Sequence, residues 1–171
     1  MQSTPPSPWV ARHANLIPPP GPVLDLAAGS GRHTRYFKGL GYRVVALDRD
    51  VTRLADLAGD AQTTIIEADL EGGSWPLEVQ SFAGVVVTNY LHRPILPRIA
   101  ASLQPGGILI YETFGAGNER FGKPSNPDFL LRPGELLAFA EAEELVVRAY
   151  HCGEITEPWP AVVQRIVAAR P

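Results

Sequence analysis

The chain has 171 residues, of which 45% are hydrophobic and 19% charged, and its formal net charge is −3. This composition is typical of one globular domain and excludes a disordered chain. The basic residues are scattered, so nothing indicates a nucleic-acid partner. The single cysteine cannot form an internal disulfide, no apolar run approaches the roughly 20 residues that span a bilayer, and residues 1–8 lack a signal-peptide pattern. We therefore expect a cytoplasmic protein with no membrane partner.

Residues 1–22 are rich in proline and are predicted to form an arm with one short helix, Trp9–Ile17, before a single domain over 23–171. Within the domain, short apolar strands alternate with helical patterns, which is typical of parallel strands joined by helical crossovers. The predicted elements are, in chain order, strand 23–26, helix 32–40, strand 43–47, helix 51–58, strand 63–68, strand 82–88, a helix opened by Pro94 and ending near 103, strand 108–112, and a helix from Pro133 to about 142.

Two further strands, Leu145–Cys152 and Ala161–Ala169, close the chain. No helical pattern separates them. Because a parallel crossover needs a dozen or more residues, this short connection predicts an antiparallel pair.

The segment from Val23 to Thr34 carries the strongest functional signal. An apolar strand containing Asp25 leads into the turn Gly29-Ser30-Gly31 and then into a helix. A second acid, Asp48, ends the following strand about 20 residues after the turn, which is the spacing expected of an acid that binds a ribose diol. This arrangement predicts a site for a nucleotide-type cofactor.

Asp25 and Thr34 help to identify the cofactor. A carboxylate at the end of the first strand would lie near the pyrophosphate of a dinucleotide, and two like charges about 4 Å apart cost roughly 4 kcal/mol at an effective dielectric near 20. Thr34 also stands where the dinucleotide fingerprint has a small residue. S-adenosylmethionine carries a sulfonium and an ammonium but no phosphate. The residues favour this cofactor, and an NAD-linked oxidoreductase is the less favoured alternative.

The residues from Asp25 to Gly31 resemble the first motif of the class I S-adenosylmethionine-dependent methyltransferases. The resemblance extends to Glu67–Leu70, Asn89–His92 and Leu103–Leu109. It implies an α/β fold with a Rossmann-like, doubly wound, seven-stranded and mostly parallel sheet that ends in an antiparallel hairpin. The compact chain is similar to methyltransferases of the tellurite-resistance type and to other small-molecule methyltransferases. Where the family has its first glycine, this chain has Ala27. We expect this residue to keep a negative φ, and we do not count it among the site residues.

The predicted cofactor site follows from the motif, its spacing and the resemblance. The resemblance implies that Asp69 accepts the adenine amino group, and Asp48 is the ribose-binding acid. The complete set of predicted cofactor-binding residues is Asp25, Ala28, Gly29, Gly31, Asp48, Arg49, Asp69, Leu70 and Asn89. No group of histidine, cysteine and carboxylate residues has metal-ligand spacing, so no metal site is predicted.

The acceptor-side candidates are Asn89, Tyr90, His92 and Arg120. Asn89 follows the fourth strand, at the edge where open α/β sheets bind ligands, although an Asx turn is the structural alternative. A lone histidine such as His92 is more often structural than catalytic. No residue stands out as a general base.

The long segment from Glu112 to Phe129 leaves the same edge of the sheet and is either a lid or a disordered connection. As a lid, it would place Arg120 and Lys123 against an anionic acceptor. The arm, through Trp9, Arg12 and His13, would cover the cofactor from the other side, as arms do in the family.

Methyl transfer mainly requires that donor and acceptor be aligned and water excluded, so the lack of an evident base does not argue against catalysis. We therefore predict S-adenosylmethionine-dependent methyl transfer to a small-molecule or anionic acceptor. A non-catalytic S-adenosylmethionine-binding module or sensor would carry the same cofactor site and is the main alternative. The sequence does not indicate an oligomeric state.

Overall fold

Seven strands form one sheet in the computed structural model, which describes residues 4–171. The strands are β1 Val23–Leu26, β2 Val44–Asp48, β3 Thr63–Glu67, β4 Phe82–Thr88, β5 Leu103–Phe114, β6 Val146–Ile155 and β7 Ala161–Ala169. Their order is β3-β2-β1-β4-β5-β7-β6. The strands from β1 to β5 are parallel, and β7 runs antiparallel to both β5 and β6. The predicted fold class, including its closing hairpin, is confirmed.

Four α-helices accompany the sheet within residues 4–171. They are α1 Pro8–His13, α2 Arg32–Gly39, α3 Leu96–Ser102 and α4 Glu135–Ala142. Short 3₁₀ helices lie at Ala14–Leu16, Thr52–Leu57, Arg93–Ile95, Asn118–Arg120 and Pro127–Phe129. In this part of the chain, no helix has the length and apolar character needed to cross a bilayer.

The predicted α-helix over 51–58 is wrong in type, because the segment Thr52–Leu57 is a 3₁₀ helix. Its two buried side chains, Leu54 and Leu57, are three residues apart, which matches one turn of a 3₁₀ helix. The N-cap of this helix is Val51, and the carboxylate of Asp50, just before it, accepts the backbone N–H of Thr52 at 3.0 Å.

The central strands are buried on both faces, as their continuous apolar sequences predict. All four residues of β1 are buried, and so are six of the seven in β4. Apolar side chains of α3 and α4 pack on one face of the sheet, and those of α1 and α2 pack on the other.

The arm over residues 4–22 packs against the sheet, while residues 1–3 of the predicted arm lie outside the described part of the chain. Trp9, Val10 and Ile17 are buried in the core on this face. Ile17 lies directly over Gly84 of β4, where a Cβ atom would come within 2.6 Å of the isoleucine Cδ1. Glycine in this strand therefore makes room for the arm.

The sheet topology fixes where a ligand can bind. The chain runs from β1 outward to β2 and β3, and then returns across the sheet to β4 on the other side of β1. Open α/β sheets bind ligands at the carboxyl ends of the strands, at the point where the strand order reverses. Here that point lies between β1 and β4.

Candidate functional site

A cavity of about 430 Å³ lies at this edge of the sheet, within the range usual for small-molecule sites. It brings together Asp48, Arg49, Asp69, Leu70 and Asn89, all predicted as cofactor-binding residues. Ala27, Leu47, Ala68, Glu71, Tyr90 and Phe129 complete its border.

Asp48 is held in place by two backbone N–H groups. Its Oδ2 accepts the N–H of Gly29 at 2.8 Å, and its Oδ1 accepts that of Asp50 at 3.0 Å. A carboxylate offers about four lone-pair directions, so each oxygen retains one for a hydroxyl group of a ligand.

The turn between β1 and α2 has left-handed backbone at Ala27, Gly29 and Gly31, with φ values of 55°, 55° and 76°. The expected negative φ at Ala27 is therefore wrong, and this residue borders the cavity. The turn imposes the conformation of the family's glycine on an alanine, at a cost of about 1–2 kcal/mol. At Gly31 a side chain would lack space in addition to having a strained backbone. A Cβ atom there would collide with Leu54 and come within 2.7 Å of Arg35 Nη1.

Asp25 does not border the cavity, contrary to its predicted contact with the cofactor. Its side chain is buried, and its Oδ2 accepts both the backbone N–H of Thr34, at 2.9 Å, and the Thr34 hydroxyl, at 2.6 Å. Burial raises the pKa of this carboxyl to about 6, although the Thr34 hydrogen bonds act in the opposite direction. Asp25 thus links β1 to α2 underneath the turn.

Three other predicted residues, Ala28, Gly29 and Gly31, do not border the cavity either. Ala28 packs in a small apolar cluster with Ala46, Leu54 and Leu57, and Gly31 precedes the first residue of α2. These two predicted residues shape the turn, while Gly29 connects it to Asp48.

The cavity border carries three carboxylates, those of Asp48, Asp69 and Glu71, and one guanidinium, that of Arg49. A phosphate group would be repelled by this excess of negative charge, whereas a cationic ligand would be attracted. Asp48, Asp69 and Glu71, rather than Asp25, are therefore the acids that disfavour a dinucleotide here. The residues present fit a cofactor with a sulfonium, an ammonium and a ribose diol.

Asn89 lies between this cavity and a second one and borders both. It has left-handed backbone with φ 55°, and its N–H donates to the carbonyl of Glu112 at 2.9 Å. Its side-chain amide has no hydrogen-bond partner in the described range, so the structure offers no support for the Asx-turn alternative.

Tyr90 borders the first cavity and donates its hydroxyl to Glu71 Oε1 at 3.3 Å. Burial, together with the nearby negative charge of Glu71, raises the pKa of this phenol well above its usual value. Tyr90 is therefore protonated at neutral pH and can donate a hydrogen bond but cannot act as a base.

The second cavity is a narrow slot with about 40 Å³ of free space. Its border includes Ser7, Arg32, Glu112, Trp159 and Arg165. The Ser7 hydroxyl donates to Glu112 Oε1 at 2.6 Å. Arg165 Nε lies 2.9 Å from Glu112 Oε2, but its N–H does not point at the carboxylate, so the contact is an ion pair rather than an aligned hydrogen bond.

His33 anchors the arm beside this slot. Its Nε2 accepts the backbone N–H of Ser7 at 3.0 Å, which places the ring proton on Nδ1. Burial lowers the pKa of His33 to about 3, and the charge of Arg32 acts in the same direction. The ring is therefore neutral at physiological pH.

Apart from Asn89, the residues that border the slot were not predicted from the sequence. Glu112 gave one usable signal, because it is an acid near the carboxyl end of a strand, as Asp48 is. Ser7 and Arg165 gave none, since they reach Glu112 from distant parts of the chain.

Other predicted residues lie away from both cavities. His92 borders neither, and Arg120 forms an exposed ion pair with Glu154 at 2.6 Å. In the arm it is Ser7 and Pro8, not Trp9, Arg12 or His13, that border the slot. Trp9 is instead buried in the core, and the guanidinium of Arg165 lies over its ring.

The segment after Glu112 is anchored rather than free. The buried Asn118 accepts the N–H of Val162 at 3.1 Å and donates to the carbonyl of Pro124 at 3.0 Å. Gly115 forms a bridge with Leu131. The segment contributes Phe129 to the first cavity, but Lys123 borders neither that cavity nor the slot.

Residues 23–107 match a protein family described as a methyltransferase domain. No curated protein matches the chain. Among solved structures, the 1,6-didemethyltoxoflavin-N1-methyltransferase of Burkholderia thailandensis, solved with 1,6-didemethyltoxoflavin and S-adenosylhomocysteine, has a TM-score of 0.73 and 23% identity, covering 95% of this chain and 76% of that one.

A SAM-dependent methyltransferase from Methanosarcina mazei has a TM-score of 0.74 and 14% identity, covering 98% of this chain and 99% of that one. TehB from Haemophilus influenzae has a TM-score of 0.73 and 20% identity, with 95% of this chain aligned to 61% of TehB. At these identities the structural likeness concerns the fold. Together with the match over residues 23–107, it shows that the chain contains a methyltransferase domain and has the class I fold of S-adenosylmethionine-dependent methyltransferases.

Proposed function

We propose that the protein catalyses methyl transfer from S-adenosylmethionine to a small-molecule acceptor. The main support is the acid-rich cavity of about 430 Å³ at the point where the strand order reverses, with Asp48 fixed by the glycine turn. When bound, S-adenosylmethionine supplies an electrophilic methyl group on a sulfonium, and the surrounding negative charge suits this cation.

In this proposal Asp48 binds the ribose hydroxyls, Asp69 accepts the adenine amino group and Leu70 packs against the adenine. Arg49 and Asn89 complete the contacts at the cavity border. Gly29, Gly31 and Ala28 give the turn its shape. Asp25 contributes indirectly, through Thr34 and the start of α2.

The acceptor is proposed to enter from the slot, because Asn89 borders both cavities and would be next to both ligands. The limited free space favours a small acceptor. The crystal structure of the Burkholderia thailandensis neighbour with 1,6-didemethyltoxoflavin supports the same class. If the acceptor carries an anionic group, Arg32 and Arg165 are the cations that border the slot, in place of Arg120 and Lys123.

The residues of this chain would act mainly by positioning and by excluding water. The arm, through Ser7, and the β6–β7 loop, through Trp159, close the slot from two sides. Glu112, whose carboxylate borders the slot, is the group that would receive a proton if the acceptor loses one.

Calorimetry with S-adenosylmethionine, S-adenosylhomocysteine and NAD tests the cofactor. We expect the first two to bind, with little response to NAD, and tight NAD binding alone would contradict the proposal. Formation of S-adenosylhomocysteine with an acceptor panel then tests catalysis. Cofactor binding without turnover of any acceptor would instead support the non-catalytic module or sensor.

A further inference from the structure

We propose that the slot binds the edge of a flat heterocycle on which an N–H lies next to a C=O, as in a lactam or a ureide. Glu112 would accept from the N–H and Arg165 would donate to the C=O. This inference rests on the proposed function, since it names the chemical class of the methyl acceptor.

The charged groups that border the slot balance one another. Glu112 and Arg165 form an ion pair at 2.9 Å, and their side chains are only 13% and 15% exposed. A bound carboxylate would be attracted by Arg165 but repelled by Glu112. A bound ammonium would be attracted by Glu112 but repelled by Arg165. Arg32 and Glu157, which also border the slot, again carry opposite charges. The four groups sum to zero, which favours a neutral ligand.

Glu112 and Arg165 both retain capacity for further hydrogen bonds. Arg165 Nε is buried and lies 2.9 Å from Glu112 Oε2, but its N–H is not aligned with the carboxylate and has no other acceptor within residues 4–171. Glu112 accepts one proton from Ser7 and keeps free lone pairs on both oxygens. The pair thus presents donors and acceptors side by side. A neutral edge that carries one donor and one acceptor satisfies both residues at once.

The slot is small and partly apolar. The slot has about 40 Å³ of free space, and Phe114, Val163 and the ring of Trp159 form part of its walls. Trp159 lies in the loop between β6 and β7 and is 53% exposed, an unusual position for so large an apolar side chain. A thin ring edge fits between such walls, and aromatic stacking on Trp159 would cover this exposed surface.

The test uses the full chain loaded with S-adenosylhomocysteine and four probes followed by ligand-detected NMR. Uracil carries the proposed edge, 1,3-dimethyluracil has the same ring without an N–H, benzoate is an anion and benzylamine is a cation. We expect uracil to bind at least about tenfold more tightly than each of the others. Arg165→Gln and Glu112→Gln should each abolish this preference, whereas Arg148→Gln, at an exposed position of β6, should keep it.

Equal or tighter binding of 1,3-dimethyluracil, benzoate or benzylamine would overturn the inference. So would the absence of binding by every probe when S-adenosylhomocysteine binds normally, and that result would leave the proposed function intact. A chain that fails to bind S-adenosylhomocysteine would instead contradict the proposed function. If either substitution prevents folding, the comparison of the four probes on the native chain still decides the matter.

Discussion

The carboxylate of Asp48 accepts the backbone N–H of Gly29 at 2.8 Å, and so joins the end of β2 to the turn that follows β1. This contact is made entirely by groups of the chain. An acid that is already oriented loses little conformational freedom when it binds a ligand, which favours affinity. Asp48 is therefore the residue whose removal should weaken cofactor binding most clearly.

We expect Asp48→Asn to lower the affinity for S-adenosylhomocysteine by about 10- to 100-fold, because hydrogen bonds to a charged group contribute roughly 1.5–3 kcal/mol. Asparagine keeps an oxygen that can accept the Gly29 N–H, so the turn should persist. Calorimetry measures the loss. Asp56→Asn, which removes an exposed partner of Arg35, is the matched control and should bind normally. Unchanged affinity in Asp48→Asn would show that another acid holds the ribose.

Much of the fold could be predicted because its signals are local. The bounds of β1, β4 and β7 agree with the expected strands, since each is a short apolar run between polar or turn residues. The site residues that could be predicted stand at the carboxyl ends of neighbouring parallel strands, where sequence order and spatial position agree. Asp48, Asp69 and Asn89 are of this kind.

The rest of the site depends on contacts that the sequence does not encode locally. Ser7 reaches Glu112 across 105 residues, and Arg165 comes from the last strand. Asp25 is the reverse case, because its position in the motif indicates a site residue while its side chain turns toward α2. Only the packing of that helix against β1 determines this orientation.

Asp25 and His33 should oppose each other in the pH dependence of stability. The pKa of His33 is lowered to about 3, so the stability that its neutral ring provides is lost as the pH falls below 6.5. The pKa of Asp25 is raised to about 6, so the cost of burying its charge is relieved as the pH falls from 6 toward 3.8. In the interval between pH 6 and 4 the two effects largely cancel.

Asp25→Asn removes the stability that the native chain gains when Asp25 takes up a proton. The variant keeps the stability loss that His33 causes as the pH falls. On lowering the pH from 6 to 4, we expect the free energy of unfolding of this variant to fall by roughly 2–3 kcal/mol more than that of the native chain. Urea unfolding at both pH values measures the difference, and the other carboxyl groups cancel in the comparison. If both chains lose the same stability, the native Asp25 does not take up a proton in this interval.

Asn118 should be important for the segment that follows β5. Asn118→Ala leaves the buried N–H of Val162 without its acceptor, which costs roughly 1–3 kcal/mol of stability. It also frees the Pro124 carbonyl, so proteolysis within 115–130 should become faster. Asn126→Ala, which removes an exposed acceptor for the Asp128 N–H, is the control, and its cost should stay below about 1 kcal/mol. Similar losses in both variants would show that the buried contacts do not anchor the segment.

Gly84 and Ile17 should be energetically coupled. In Gly84→Ala the new methyl group would lie 2.6 Å from Ile17 Cδ1 and 2.7 Å from its Cγ2, so the arm must shift, at a cost of about 1–3 kcal/mol. Ile17→Ala alone should cost about 2–5 kcal/mol, because it opens a cavity in the core. The double variant should lose less than the sum of the two, since the added methyl group then occupies space that the isoleucine has left. Urea unfolding of the four chains gives the coupling energy. Simple additivity would mean that the arm does not pack on β4 through this pair.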